Sequence, residues 1–201
     1  VDCNESTNIY IENFNGSHSP ILGWVADGHP VYGPYAYDEP NNPDSGIRRM
    51  ISGYQKRDGT NGSTNLNSTG RRSLPRWVST LEGRSTSISS NRYGPNVSNQ
   101  YILGHYLEDY AYKGHLGLIQ GKDYDLDEHN GRFCVTPEFP DGVWAYFTTV
   151  EDDGIPVFPY NVGRNYYGTP SGGRVNAIPA QAVKVFSGGP NKQHKAKTIS
   201  A

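Results

Sequence analysis

The stretch that decides the fold is residues 124–149, which read Tyr-Asp-Leu-Asp-Glu-His-Asn-Gly-Arg-Phe-Cys-Val-Thr-Pro-Glu-Phe-Pro-Asp-Gly-Val-Trp-Ala-Tyr-Phe-Thr-Thr. It opens with acids and a histidine and passes through Asn130-Gly131, a strong turn signal. A short strand, a Pro/Gly turn and an aromatic strand are predicted after that turn. Side chains capable of chemistry are therefore expected at the mouth of a β-rich core segment.

The composition of the whole chain favours the same architecture. The chain has 201 residues, of which 34% are hydrophobic, 24 are glycine and 14 are proline. This balance favours short strands and many ordered loops over long helices. We therefore predict one all-β domain of short antiparallel strands, a sandwich or an open barrel, with long loops.

Charge and hydropathy exclude two classes of partner. The formal net charge is −2, which gives no electrostatic case for binding nucleic acid. No apolar run approaches the ~20 residues that span a bilayer. Because the chain begins at Val1 with no signal peptide or initiator methionine, we expect a processed product or a piece of a longer polypeptide.

Three further segments carry strand patterns. Residues 21–26 predict a buried strand, and Asp27-Gly28 predicts a hairpin turn into an aromatic, proline-broken strand over residues 29–37. Residues 101–112 alternate aromatic and polar side chains, which predicts a strand with His105 and Asp109 on one face. Residues 47–55 favour a brief helix or strand, and residues 157–160 favour one more short strand.

The chain is expected to have three parts. Residues 1–16 form an N-terminal arm, residues 17–173 form the β-rich domain with a polar insert at about 56–100, and residues 174–201 form an extended C-terminal tail. The insert is rich in Gly, Ser, Asn and Arg, which predicts a long surface loop. Its basic strip at 71–92 is typical of a solvated face or of an interface with a neighbouring subunit.

These blocks together resemble the YHYH domain family of bacteria, some eukaryotes and tailed phages. The matching residues are 23–35 (Gly-Trp-Val-Ala-Asp-Gly-His-Pro-Val-Tyr-Gly-Pro-Tyr), 108–110 (Glu-Asp-Tyr), 125–133 (Asp-Leu-Asp-Glu-His-Asn-Gly-Arg-Phe), 135–138 (Val-Thr-Pro-Glu) and 145–147 (Ala-Tyr-Phe). The Tyr-His-Tyr-His tetrad that names the family is absent, and Ser-His-Ser-Pro stands at residues 17–20 instead. The family has no settled activity to carry over. The His-Ser-Pro-Ile-Leu-Gly-Trp wording at 18–24 resembles the version in large virion proteins of phages that infect cyanobacteria.

The acidic loop is the sharpest chemical candidate. It supplies carboxylate and amide oxygens, the ligands that calcium prefers, and Asp27 and Asp109 are the two acids expected to approach it. The candidate ligands of Ca²⁺ or another divalent cation are Asp125, Asp127, Glu128, His129, Asn130, Asp27 and Asp109. The alternative, which we favour, is a loop whose carboxylates accept backbone N–H groups and pair with Arg132.

The histidines and two of the acids allow other sites. Convergence of three histidines would suit zinc or another transition metal, and each candidate is otherwise a hydrogen-bonded loop residue; they are His18, His29, His105 and His129. Asp27 and Asp109 could work with His129 as a general acid/base pair. Against this, Asp27 suits a turn position, and Asp109 is expected to pair with Arg132 or His105.

Tyrosines and cysteines complete the candidates. A tyrosine surface would stack on sugar rings, the alternative being core and interface packing; its members would be Tyr32, Tyr35, Tyr37, Tyr166 and Tyr167. Cys3 and Cys134 are the two cysteines, and they are compatible with a single disulfide or with two free thiols.

The sequence favours one function over two alternatives. We expect a structural or interaction module of a larger assembly, in the resemblance a phage tail, baseplate or fibre component found in the virion or outside the cell. Its partners would be other protein subunits, including copies of itself. The alternatives are a metal-binding domain or metal-dependent hydrolase, and an adhesin whose partner is a glycan.

Overall fold

The computed structural model describes residues 2–4, 9–11, 14 and 16–172. The chain divides into two units, residues 1–171 and residues 172–201. The tail expected at 174–201 and half of the N-terminal arm expected at 1–16 lie outside the described residues. The elements and contacts described below all belong to the first unit.

The described residues form an all-β domain with loops, as the composition predicts. Its strands are β1 Asp2–Asn4, β2 Ile9–Ile11, β3 Ile21–Trp24, β4 Pro30–Tyr32, β5 Tyr35–Tyr37, β6 Ile47–Arg49, β7 Tyr54–Lys56, β8 Tyr110–Tyr112, β9 Gly131–Cys134 and β10 Val143–Phe147. The α-helices are α1 Leu66–Thr69 and α2 Trp77–Glu82. None of the helices in this part of the chain is long and apolar enough to cross a bilayer.

The strands pair into one central sheet and three two-stranded sheets. The central sheet has the order β3-β4-β10-β9, and the others are β1-β2, β5-β6 and β7-β8. All pairs are antiparallel except β4 and β10, which run parallel with Tyr146 opposite Val31. The sheet thus joins two hairpins, β3–β4 and β9–β10, through their second strands, which explains the one departure from the antiparallel expectation.

Local turn chemistry sets the β3–β4 hairpin and the turn that precedes β9. Gly28 has a φ of 87°, and the carboxylate of Asp27 accepts the His29 N–H at 3.3 Å, so this turn forms as predicted. Asn130 has a φ of 69°, a conformation that asparagine tolerates better than most residues. It places the acidic loop directly before β9.

Alternation along β10 separates two faces of the central sheet. Ala145 and Phe147 enter a fully buried core with Tyr32, Met50 and Leu126. The neighbouring side chains of β10 point to the other face.

The second face of the central sheet is covered by fewer buried side chains than the first. Trp144 and Tyr146 of β10 pack there with Val31, against Val25 and Val162. A loop segment around Val162 therefore covers the second face, where the first face has a full core.

The polar insert is ordered, which the sequence did not predict. Its α2 helix buries Trp77 and Val78 and ends at Gly83, where φ is 65°. The indole Nε1 of Trp77 donates to the Tyr110 carbonyl at 2.8 Å. A few aromatic anchors therefore fold a segment whose composition predicts a loop.

Three predicted strands differ in the structure. The strand predicted at 101–112 is only β8, because Leu107–Asp109 forms a 3₁₀ turn in which the Asp109 carboxylate accepts the amides of Gly104 and Tyr106. His105 and Asp109 thus share no strand face. The strand predicted at 29–37 is broken into β4 and β5, which lie in different sheets, and residues 157–160 form a turn.

Candidate functional site

The second face of the central sheet gathers acids and histidines from two separate blocks and aromatic side chains from a third. Asp27 and His29 come from the β3–β4 turn, Asp127 and His129 from the acidic loop, and Trp144 and Tyr146 from β10. Tyr167 covers them. We call these residues the two-histidine cluster: Asp27, His29, Asp127, His129, Trp144, Tyr146 and Tyr167.

Both imidazoles of the cluster have the same tautomer. His29 Nδ1 lies 2.9 Å from the Trp144 carbonyl, and His129 Nδ1 lies 2.9 Å from the Asn165 carbonyl. A carbonyl oxygen only accepts, so each Nδ1 carries the proton and each Nε2 keeps a lone pair when the ring is neutral. A backbone carbonyl orienting Nδ1 is also how proteins orient histidines that bind metals through Nε2.

Aromatic packing fixes the two imidazoles around one ring. Tyr167 stacks on Trp144 with ring centroids 4.0 Å apart and an interplanar angle of 6°. His29 and His129 meet the Tyr167 ring edge-on at 5.3 Å and 5.8 Å. Tyr167 remains 50% exposed, so one half-exposed ring forms the boundary between this cluster and solvent.

Asp27 is held as a carboxylate by three donors. One oxygen accepts the Tyr146 hydroxyl at 2.6 Å and the Gly168 amide at 3.0 Å, and the other accepts the His29 amide. Burial raises the pKa of Asp27, but these hydrogen bonds outweigh it and the net pKa lies below the ordinary value. Asp27 is therefore a charged anchor at neutral pH, as its turn position suggested.

Asp127 has the opposite titration behaviour. Its carboxylate accepts the amides of His129 at 2.9 Å and Gly131 at 3.1 Å, which closes the turn before β9. Burial nevertheless raises the pKa of Asp127 above its ordinary value. The two carboxylates thus differ in affinity for a proton, a difference that acid/base chemistry also requires.

Asp125 does not belong to the two-histidine cluster, because it pairs with an arginine, Arg48. Its carboxylate oxygens accept Arg48 Nη1 and Nη2 at 2.7 and 2.8 Å, and one also accepts the Ile51 amide at 2.7 Å. Arg132, the partner that the sequence suggested, lies at 3.9 Å. Asp125 therefore stabilises the start of the loop and is saturated by protein donors.

The remaining loop residues are also engaged in the fold. Asn130 is fully buried, and its Nδ2 donates to the carbonyls of Phe147 at 2.7 Å and Asn161 at 3.0 Å. The backbone carbonyl of Glu128 accepts the Tyr54 hydroxyl at 2.8 Å. Both residues tie the acidic loop to neighbouring strands and turns.

Asp109 lies in a different part of the domain, and its expected partners were wrong. Arg71 Nε and Nη2 donate to its two oxygens at 2.6 and 2.7 Å, and both side chains are buried. Burial raises the pKa of Asp109, but Arg71 and two backbone amides lower it below its ordinary value. Neither Arg132 nor His105 takes part; His105 packs on Tyr106.

The seven candidate ligands therefore fall into separate places. Among the residues that the structure describes, no three His, Cys, Asp or Glu side chains are grouped so that they could hold a metal ion. Asp125 pairs with Arg48, Asp109 with Arg71, and the others belong to the two-histidine cluster or its loop. Binding of Ca²⁺ or another divalent cation stays a prediction.

The tyrosines and Cys134 also take structural positions. Tyr32 is fully buried, and its hydroxyl lies 2.9 Å from both Thr136 Oγ1 and Glu138 Oε2, so it belongs to the core and not to a sugar-binding surface. Tyr35 stacks on Phe14. Cys134 is a buried free thiol, and the side chain of Cys3 lies outside the described part of the chain.

Sequence comparison identifies the family of this chain. The family profile described as YHYH protein matches residues 5–158. This chain belongs to the YHYH family. No curated protein and no solved structure shows significant similarity to it. In this YHYH domain Ser-His-Ser-Pro stands at residues 17–20 in place of the tetrad, and its His18 packs edge-on against Tyr32 with ring centroids 5.0 Å apart.

The cluster was only partly visible in the sequence. The Asp27-Gly28 turn and the acidic loop were both singled out, and the structure brings Asp27, His29 and His129 to one place. No local sequence pattern predicts that Tyr167 stacks on Trp144. The arginines that neutralise Asp125 and Asp109 also carry no local signal, because they lie 77 and 38 residues away in the chain.

Proposed function

We propose that this YHYH domain is a structural and interaction module of a larger assembly, and that it self-associates through the open edge of its central sheet. One observation carries the proposal: the edge strand β3 exposes Leu22 by 40% and Trp24 by 61%. Within the central sheet, only β4 pairs with β3. An exposed apolar edge strand is a template for pairing with another chain unless something covers it.

The opposite edge of the sheet supports the same function. Phe133 on β9 is 56% exposed, so aromatic side chains lie on both edge strands. Single exposed apolar residues are ordinary on protein surfaces. Two at alternate positions of one open edge, matched by a third on the other edge, favour contacts between copies.

The hydrogen bonds of the acidic side chains favour a structural role for this domain over a catalytic one. Asp125 and Asp109 are saturated by arginines and amides, and Asp27 is held by three donors. These side chains already serve the fold. The family blocks therefore act first as the structural signature of the domain.

The assembly that we propose is a phage virion, with the domain in a tail, baseplate or fibre protein. Support comes from the resemblance of residues 18–24 to virion proteins of cyanobacterial phages. Mass spectrometry of purified particles tests this finer statement: peptides of the chain at stoichiometric abundance support it, and their absence from particles of a phage that encodes the chain contradicts it.

Photo-crosslinking tests the interaction surface itself. We would place p-benzoylphenylalanine at Trp24 in the full chain and, as a matched control, at Ile119, which is also exposed but lies outside the strands. Position 24 should crosslink to a second copy, and position 119 should not. Equal yields at both positions, or none at position 24, would contradict the proposed edge contact.

A further inference from the structure

A cavity of about 190 Å³ lies between the polar insert and residues 106–109 and shares no lining residue with the two-histidine cluster. Three arginines line it, Arg57, Arg71 and Arg92. Two of these, Arg71 and Arg92, belong to the basic strip at 71–92, and of the two only Arg71 has a role in the fold that is described above. The charges of the three arginines decide what the cavity can hold.

Arg57 is buried without a carboxylate partner. The residue is only 2% exposed, and its Nη1 donates to the carbonyls of Ser73 at 2.9 Å and Glu108 at 3.0 Å. Its Nη2 donates to Ser73 Oγ at 2.8 Å. These acceptors are all neutral, and they occupy three of its five N–H donors. A buried charge that lacks a counter-ion is costly, so an anion beside Arg57 would be stabilising.

The neighbouring acids do not cancel this charge. The Asp109 carboxylate already accepts two bonds from Arg71 and one each from Gly104 and Tyr106. Glu108 also lines the cavity, yet neither acid lies within ion-pair distance of Arg57 among the described residues. The lining therefore holds three arginines against two acids.

Arg92 adds the last positive charge at an exposed position. Its residue is exposed, and in the described part of the chain it forms no ion pair. Arg92 is thus free to reach a ligand without breaking an ion pair of the fold. It is also the arginine whose removal is least expected to unfold the insert.

The size of the cavity and its apolar lining limit the kinds of ligand that it can hold. Leu74, Ile88, Pro95 and the Tyr106 ring form the rest of the wall. At about 30 Å³ per water, the cavity has room for roughly six waters, which suits a small ligand. We infer that this cavity binds a small organic anion, a carboxylate or phosphate monoester with a short apolar group, held by Arg57 and Arg92.

Nuclear magnetic resonance titration tests this inference independently of the proposed assembly. Isotope-labelled full chain would be titrated with benzoate and, separately, with phenyl phosphate at low ionic strength. The amides of Ser73 and Gly94 should shift saturably. Arg92→Gln should weaken binding about tenfold, since a charge-assisted hydrogen bond is lost. Arg76→Gln, the same change at an exposed arginine outside the cavity, should leave the affinity unchanged.

A second variant separates the cavity from general surface attraction. Ile88→Trp adds bulk to the apolar wall and should abolish the shifts while leaving all three arginines in place. The inference is overturned if neither anion shifts Ser73 and Gly94 saturably, if R92Q and R76Q weaken binding equally, or if I88W binds like the wild type.

Discussion

The hydroxyl of Tyr146 donates to a carboxylate oxygen of Asp27 across 2.6 Å. The two residues are 119 positions apart in the chain, and their bond ties the β3–β4 turn to β10. The same hydroxyl accepts the Tyr167 amide at 2.8 Å, so one phenol joins the turn, the strand and the covering segment. Burial, followed by the bond to Asp27, raises the pKa of Tyr146, which keeps the phenol a donor.

Removing that hydroxyl should loosen all three elements. We expect Tyr146→Phe to lower the free energy of unfolding by about 1–3 kcal/mol, because Asp27 loses a charge-assisted hydrogen bond. Urea denaturation measures this change, and hydrogen exchange should show faster exchange of the Tyr167 amide. The control is Tyr166→Phe at an exposed tyrosine, where a change below about 0.5 kcal/mol is expected. Equal effects of the two variants would argue against the role of the hydroxyl.

The same bond predicts a pH dependence. The pKa of folded Asp27 lies below its ordinary value of 3.8, so its contribution to stability is present above that value and is lost as the pH falls through the folded pKa. The stability gap between wild type and Tyr146→Phe should therefore be full at neutral pH and shrink below 3.8. Urea denaturation at a series of pH values measures the gap, and a gap that stays constant into acid would contradict the assignment.

The Arg71–Asp109 pair should matter far more than a surface pair. Asp109→Asn leaves the Arg71 charge buried and uncompensated, which should cost about 3–5 kcal/mol of unfolding free energy. Asp152→Asn is a matched control, since Asp152 pairs with Arg49 but its side chain is 93% exposed. That change should cost below about 1 kcal/mol. Similar losses in the two variants would show that Arg71–Asp109 does not organise the insert.

Chelation should leave the fold intact. Because Asp125 and Asp109 are already saturated by arginines and amides, we expect no change in melting temperature when ethylenediaminetetraacetate is added to the purified chain. Calorimetry with and without the chelator measures this, and elemental analysis of the same sample is the control. Stoichiometric metal together with a fall in melting temperature on chelation would contradict this expectation and support the metal-binding alternative.

How much of this structure could be predicted depends on how local each cause is. The hairpin turn at Asp27-Gly28 and the turn at Asn130-Gly131 before β9 were predictable because turn residues act over a few positions. The Arg71–Asp109 pair was not, because its partners are brought together only when the insert folds back. The strand expected at 101–112 failed in part for the same reason: the Asp109 carboxylate pairs with the distant Arg71, and it also closes a 3₁₀ turn by accepting the amides of Gly104 and Tyr106.

The two-histidine cluster shows the same limit from the side of function. The sequence predicts that the Asp27-Gly28 turn and the acidic loop meet. It also favours a loop-stabilising role for the acids over a role as metal ligands. It could not show that Tyr167 would stack on Trp144 and lie between the two imidazoles. That arrangement depends on a segment beyond the last strand, whose path carries no periodic pattern.

Sedimentation equilibrium of the full chain tests the central claim most directly. The wild type should self-associate as its concentration rises, and the double variant Leu22→Ser/Trp24→Ser should remain a folded monomer, because both side chains are largely exposed on an edge strand. A wild type that stays monomeric throughout, or a double variant that associates as strongly as the wild type, would contradict the proposed self-association.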